Sequence, residues 1–457
     1  MRISFNKKIL FAIIVLVTGW FSAKSQDGNP IQFLSSVSQS SFVNPAHQNK
    51  TEKLVVGIPF LSGTLFEWDS NIAFNYLFSK KFSYSFKSLY NSLEEPGDAV
   101  SAAQVPLVFI SFRNNNRTTT FSVTEKFLGT ITFDKEFLNF IDQGTLPFYG
   151  RNEFYGPFDF QSQYYREAAL GISNQIWEGF SIGFRPKILF GKGYYQTSGL
   201  NISVETNNQA EELYITPEGE YILSGPFNAI YDPEMESAQV TLDFAFGDYF
   251  FNLRNLGLAF DFGLSAEIGD KSKITFSILD IGFIGLKYKT YDARYINPII
   301  FAKDELYQSV DMNVPNYKEP KEALKDLFYS IPDITYSKEA ADRLFVKLPA
   351  KLNITYKYNL TNTMQTGFSN QFTYIKNYSD NFLSGFIKTD VTNKFEAAAT
   401  FNLYNFNKVF AGLGMSYTGK NIQCYISTNN IFRLIQPASA KNLNLCLGVN
   451  LLFHTEN

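Results

Sequence analysis

Near its end the chain alternates residue by residue. Leu443, Leu445, Leu447, Val449, Leu451 and Phe453 share one parity, and Asn444, Cys446, Gly448, Asn450 and Leu452 share the other. Successive strand side chains point to opposite faces, so the segment predicts a strand with one apolar face. Similar segments precede it at residues 348–358, 364–374, 382–391, 395–403, 409–417 and 422–427. Tight turns at 359–363, 392–394 and 418–420 interleave with longer links at 376–381 and 429–441. Strands of about ten residues, apolar on one face and joined by alternating short and long connections, are the pattern of a transmembrane β-barrel.

Upstream, Leu256, Leu258, Phe260, Phe262, Leu264, Ala266 and Ile268 form another long apolar face, followed by a turn and then Ile274, Phe276 and Ile278. Residues 164–174 and 180–190 read as a hairpin about Trp177-Glu178-Gly179, and 53–60, 72–78, 105–112 and 117–124 alternate more weakly. Single-chain bacterial barrels usually have an even strand count. The expected fold is therefore all-β: an antiparallel transmembrane barrel over residues 51–457 with 14 strands, sixteen being the next choice.

Two stretches break the rhythm. Residues 288–347 carry Pro320 ahead of Leu324, Leu327 and Phe328 at helical spacing, which predicts a partly helical extracellular insertion. Within 134–144, Asp134 is placed to cap a helix bearing Phe137, Phe140 and Ile141, and Gly144 to end it.

Composition fits the barrel: 47 Phe and 27 Tyr bring aromatics to 17% while mean hydropathy stays at −0.12. A wall that is apolar outside and polar inside reconciles the two. Arg2, Lys7 and Lys8 precede an apolar run at 9–21 and the tripeptide Ala23-Lys24-Ser25, which predicts a signal peptide over 1–25, cleaved before Gln26. The expected destination is the bacterial outer membrane, with its lipid as the surrounding partner. Cleavage leaves 36 Lys and Arg against 43 Asp and Glu, a net charge of −7 without basic clusters, which argues against nucleic acid. No later run of about 18 apolar residues offers a helical span.

The candidate chemistry is sparse. The two histidines are His47 and His454, and neither a nucleophile elbow, a phosphate-binding loop nor a paired-Cys motif occurs. No enzyme activity, cofactor or metal is expected. Arg185, Lys187, Asp261 and Glu267 fall on the inward parity as lumen-facing candidates. Asp280 shares the lipid-facing parity of Ile278, which is costly for a carboxylate, so a bulge is expected at Asp280-Ile281-Gly282. Pro186 cannot donate to a ladder and marks a second expected kink. Cys424 and Cys446 lie on opposite parities of adjacent strands, so free thiols are expected.

Asn44-Pro45-Ala46 resembles the element that opens FadL-like long-chain fatty acid transporters and PorV-like barrels. Together with YYREAALGISNQIWEGFSIGFRPKILFGKG (164–193), NLGLAFDFGLSAEIGDKSKITFSILDIGFIGLK (255–287) and LPAKLNITYKY (348–358), the chain resembles a family of outer-membrane barrels known mainly as a domain of unknown function related to FadL. Pro186 departs from that family's Lys and bulky apolar residues before the Phe-Gly pair. The resemblance implies that residues 26–50 fold into the lumen as a plug, with Phe42, Asn44, Pro45 and Ala46 in the plug and ligand region. It also implies passive admission of a small hydrophobic compound, with a wall kink as lateral exit. The PorV-like alternative is a non-transporting platform assisting secretion and surface attachment, in which the 288–347 insertion docks an envelope protein.

Overall fold

The computed structural model describes residues 30–49, 53–73, 86–93, 96–143, 150–206, 212–225, 227–232, 237–242, 252–295, 299–302, 335–339, 342–375, 378–436 and 440–453. Fourteen strands form its wall: β1 (Leu54–Ser70), β2 (Gly97–Asn114), β3 (Arg117–Phe133), β4 (Asn152–Trp177), β5 (Phe180–Thr206), β6 (Leu256–Ile268), β7 (Ser272–Leu286), β8 (Ala350–Asn359), β9 (Met364–Ile375), β10 (Tyr378–Thr392), β11 (Phe395–Tyr404), β12 (Lys408–Thr418), β13 (Ile422–Thr428) and β14 (Asn442–Phe453). Each pairs antiparallel with the next, and β14 returns to β1 with Leu54 opposite Phe453, so the barrel is closed. Closure leaves the sheet no free edge, as a membrane interior demands.

The alternation of the sequence sorts side chains as a membrane wall does. Outward lie Phe121, Phe184, Leu258, Phe401, Ile426, Leu451 and Phe453, all exposed, while Asn402, Gln423, Asn444 and Asn450 are wholly buried on the inside. An apolar exterior around a polar interior is the outer-membrane type of barrel.

One end carries only tight connections, for example at Glu178-Gly179 and Asn393-Lys394. At the other end the link between β9 and β10 shrinks to two residues, because the ladder continues to Ile375–Tyr378 where a loop over 376–381 is expected from sequence. Here the sheet also grows past the barrel. Glu212–Ser224 pairs with β5, and Thr290–Tyr295 and Ile299–Ala302 pair with Glu212–Ser224. The described parts of the 288–347 insertion are thus strand rather than helix, since the alternation of Thr290–Tyr295 finds a ladder to join; the Pro320 to Phe328 stretch lies outside the described residues. The strand expected at 72–78 does not start, because Asn71 and Ile72 bend after β1 has run to Ser70, and 74–78 lie outside the described residues. Helices α1 (Phe86–Ser92) and α2 (Lys135–Gln143) pack together at this end, and Asp134 Oδ1 accepts the Glu136 N–H at 2.9 Å at the start of α2.

Candidate functional site within the lumen

Residues 30–49 make two short 3₁₀ turns, Pro30–Phe33 and Ser38–Phe42, and run against the inward faces of strands around the ring. At Asn44-Pro45-Ala46 their backbone passes directly over two wall glycines. Gly183 on β5 and Gly263 on β6 are direct cross-strand partners. A Cβ on Gly183 would sit 2.2 Å from the Pro45 carbonyl, and one on Gly263 would sit 2.2 Å from Asn44 Oδ1. Only a glycine pair leaves room for this backbone. Asn44 then ties the element down: its side-chain amide donates to the Leu264 carbonyl at 3.1 Å and its Oδ1 accepts the Ala46 N–H at 2.8 Å.

Directly along β5 and β6 from these glycines lies a network of buried charges. Asp261 is fully buried and accepts from Arg185 Nε at 2.6 Å and from Lys187 Nζ at 2.8 Å. Lys187 also meets Asp280 and lies 3.4 Å from Glu167, which Lys126 contacts at 2.7 Å. Three cations face three carboxylates, so the network is neutral, and pairing is what makes charges tolerable at such depth. Arg185 links the network to the segment by donating to the carbonyls of Ser41 at 3.1 Å and Phe42 at 3.2 Å, its guanidinium 5.3 Å from the Phe42 ring.

Asp280 reaches this network through a one-residue register shift in β7, between the Ile278–Phe262 and Ile281–Phe260 pairs. The residue sits at φ 57°, and its N–H donates to Asp261 Oδ1 at 2.7 Å. A Cβ on Gly282, beyond the shift, would lie 2.2 Å from the Leu258 carbonyl. At Pro186 no shift occurs: the β5–β6 register is unbroken across it, and the β4 ladder keeps its register from Ala169–Lys187 to Ile172–Phe184. A proline costs one donor, which a regular strand loses without bulging. Glu267 stands apart from Arg185, Lys187 and Asp261, at the tight-turn mouth, 3.8 Å from Lys273.

Elsewhere the segment is held by apolar packing and by a second charged contact. Ile31, Phe33, Leu34 and Val37 cluster with Phe386, Ala398, Tyr425 and Cys446, and Phe33 stacks on Phe386 with ring centroids 4.0 Å apart. Glu396 accepts from Ser35 Oγ and Ser36 Oγ, each at 2.6 Å, and from the Ser36 N–H at 3.1 Å. Cys446 therefore faces inward, whereas Cys424 is exposed; both are free, and Cys424 pairs with Val449, not with Cys446.

Space remains on both sides of the segment. Toward the tight turns lies a polar vestibule of about 1170 Å³, lined by Ser, Thr, Asn, Gln and charged side chains. A cavity of about 150 Å³ has an apolar side, with Ile31, Phe42 and Val43 of the segment and Leu65 and Leu279 of the wall, and a charged side, where Lys126, Glu167, Arg185 and Asp280 of the network reach it.

Beside that cavity the wall itself is interrupted, at a place the sequence reading overlooks. β1 pairs with β2 as far as Val56–Ile110 and again from Leu65–Gln104, and with β14 as far as Gly57–Asn450 and again from Ser62–Gly448. Residues 58–61 belong to neither ladder, and Phe60 and Leu61 project outward, 62% and 45% exposed. Behind the interruption sits Gln39, which donates to Ser62 Oγ and Asn450 Oδ1, both at 2.7 Å. The signal was available: Gly57, Pro59 and Gly63 crowd into seven residues of one strand. Also overlooked is Glu125 on the outward parity of β3, paired with Arg166 at 2.5 Å and Lys192 at 2.8 Å.

The closed fourteen-strand antiparallel wall, apolar outside and polar inside, defines a transmembrane β-barrel of the outer-membrane type. Residues 45–429 match DUF5723, a family of unknown function, and the chain belongs to that family. No curated protein matches it. Among solved structures it is similar to the Ralstonia pickettii toluene transporter TbuX, at 9% identity and TM-score 0.44 over 92% of this chain and 95% of that one. A Pseudomonas aeruginosa FadL homologue follows at 10% identity and TM-score 0.40 over 91% and 94%, and the Pseudomonas putida toluene transporter TodX at 8% and 0.39 over 90% and 93%.

Proposed function

We propose that the protein is exported by its 1–25 signal to the bacterial outer membrane and there passively admits or binds a small hydrophobic compound, with residues 26–50 as its plug. One observation carries the reading: the 150 Å³ cavity and the wall interruption at 58–61 share a boundary, because Gly63 and Leu65 of β1 line the cavity together with Gln39 and Phe42 of the segment. A cavity of this size is suited to a molecule about the size of benzene. Movement of Gln39 and Phe42 would connect it to the membrane beside Phe60. The kinks expected at Pro186 and Asp280 are then not the exit; Asp280 instead holds the charged network beneath the plug.

Gln39→Cys with Asn450→Cys, in a Cys424→Ser, Cys446→Ser background, tests the reading. Uptake of toluene and of a short fatty acid into proteoliposomes is expected to stop when the pair is oxidised and to return on reduction. Equal uptake in both states would end the proposal.

The extension of the sheet by Glu212–Ser224 and Thr290–Tyr295 favours a second reading, a docking platform for an envelope protein. A stable partner recovered with the wild-type barrel and lost on deleting 288–347 would support it.

A further inference from the structure

The cavity beside the wall interruption contains a row of side chains that the transport reading leaves unused. Glu67 of β1, Ala102 of β2, Leu128 of β3 and Gln163 of β4 are successive cross-strand partners, and all four line the cavity. The row is a short apolar floor with a polar side chain at each end. Neighbouring strands lie about 4.8 Å apart, so the two ends are about 14 Å apart along the sheet, and side chains pointing inward from a curved wall converge from there.

Both ends have hydrogen-bonding capacity to spare. Glu67 is 6% exposed, and among the described residues its carboxylate accepts one hydrogen bond, from Asn444 Nδ2 at 2.6 Å, where an ionised carboxyl offers about four acceptor sites. The cations that share the cavity stand elsewhere. Lys126 is 2.7 Å from Glu167, Arg185 is paired with Asp261, and Lys351 belongs to β8, on the far side of the ring from β1. Gln163 is 3% exposed, and its Nε2 donor has no acceptor. Of the described side chains with a buried polar atom lacking a partner, Gln163 is the one that lines this cavity.

A plain hydrocarbon in this space would cover the floor and leave both ends unmet, at the cost of the water that served them. A ring with a hydroxyl at one end and a second oxygen at the other meets all three surfaces. We propose that the cavity selects small phenols, the ring resting on Ala102 and Leu128, the hydroxyl donating to Glu67, and a second polar substituent accepting from Gln163. This assignment rests on the reading of the cavity as the ligand site and names its substrate class. A site built to bond a hydroxyl rejects the analogue that lacks it, because its own polar groups are then left unpaired.

The test is calorimetric titration of the full-length barrel in lipid nanodiscs with hydroquinone and with 1,4-dimethylbenzene, which has the same outline and no polar group. The ratio of the two affinities is the readout, since partition into the lipid cancels between wild type and variant. Hydroquinone is expected to bind at least tenfold more tightly to wild type. Glu67→Gln should reduce that preference about tenfold and Gln163→Leu about fivefold. Gln163→Leu removes an amide nitrogen that had no partner, so it decides the matter should Glu67→Gln fail to show the mobility of a folded barrel. Dimethylbenzene bound as tightly as hydroquinone, or a ratio unchanged in the folded variants, would overturn the phenol assignment and leave the transport reading standing. Binding of neither ring would overturn both.

Discussion

Gly183 and Gly263 face each other across β5 and β6, and the space that two missing side chains leave is occupied by the backbone of Asn44-Pro45-Ala46. The tripeptide is therefore a docking element whose receptor is a pair of wall glycines. Gly183→Ala would place a methyl 2.2 Å from the Pro45 carbonyl, against backbone that has no rotamer with which to yield. The segment is expected to leave its seat in this variant while the wall stays folded. Gly385→Ala, where nothing lies within 4 Å, is the matched control. Limited proteolysis around residue 45 checks the expectation: Gly183→Ala should be cut and the control should resist. Equal resistance would mean that the contact is not what seats the element.

The charged network yields a stability prediction. Lys187 contacts Asp261, Asp280 and Glu167, so Lys187→Met strands three buried carboxylates on Arg185 and Lys126. Breaking a buried pair from one side typically costs about 3–5 kcal/mol. Urea unfolding in lipid should show a loss of that order, and Asp280→Asn a smaller one, because Lys187 keeps Asp261. A loss under about 1 kcal/mol for Lys187→Met would show the network to be dispensable.

Much of this was legible in the chain. Period-two alternation is a direct consequence of a wall with lipid on one side, so the strands of the C-terminal half, and the bulge at Asp280, follow from parity alone. The carboxylate on an otherwise lipid-facing row could be accommodated only by a shift, and the shift is there. The register of β13 and β14 was less accessible, since Cys424 and Cys446 are equidistant from Ile435 and yet pair three residues out of step, the turn geometry deciding what the alternation does not. The receptor role of Gly183 and Gly263 was hidden for another reason. Each glycine looks like an ordinary gap in an alternating strand until tertiary structure brings a second backbone against it. At the long-link end Thr290–Tyr295 and Ile299–Ala302 join an available sheet edge, which the sequence pattern did not reveal, while the helical spacing from Pro320 to Phe328 lies outside the described residues.

A prediction about gating follows from Glu396. Its carboxylate accepts three hydrogen bonds from Ser35 and Ser36 of the segment. Bonds to a charged group contribute about 1.5–3 kcal/mol each, roughly twice the neutral value. Glu396→Gln keeps the shape and removes the charge, so seating should weaken by about 2 kcal/mol, near thirtyfold in the unseated population. In planar bilayers the variant should open more often than wild type at unchanged single-channel size. Unchanged opening frequency would mean that Glu396 does not restrain the segment.

His47 predicts the direction in which acid acts. Burial pushes its imidazole down from 6.5 to about 3, with the charges of Lys357 and Lys273 adding to the effect. A displaced segment would carry an ordinary imidazole that protonates near pH 6.5, whereas the seated one stays neutral. The displaced state therefore binds the extra proton, and seating must weaken as pH falls below about 6.5, by up to tenfold per pH unit, with no dependence above. Most carboxylates remain ionised down to about pH 5, so the interval from 6.5 to 5 isolates the histidine. Opening frequency, or cleavage near residue 45, should rise across that interval in wild type and stay flat in His47→Asn. A rise of equal size in the variant would place the titrating group elsewhere, and an imidazole resonance titrating near 6.5 in the seated barrel would contradict the burial that the argument depends on.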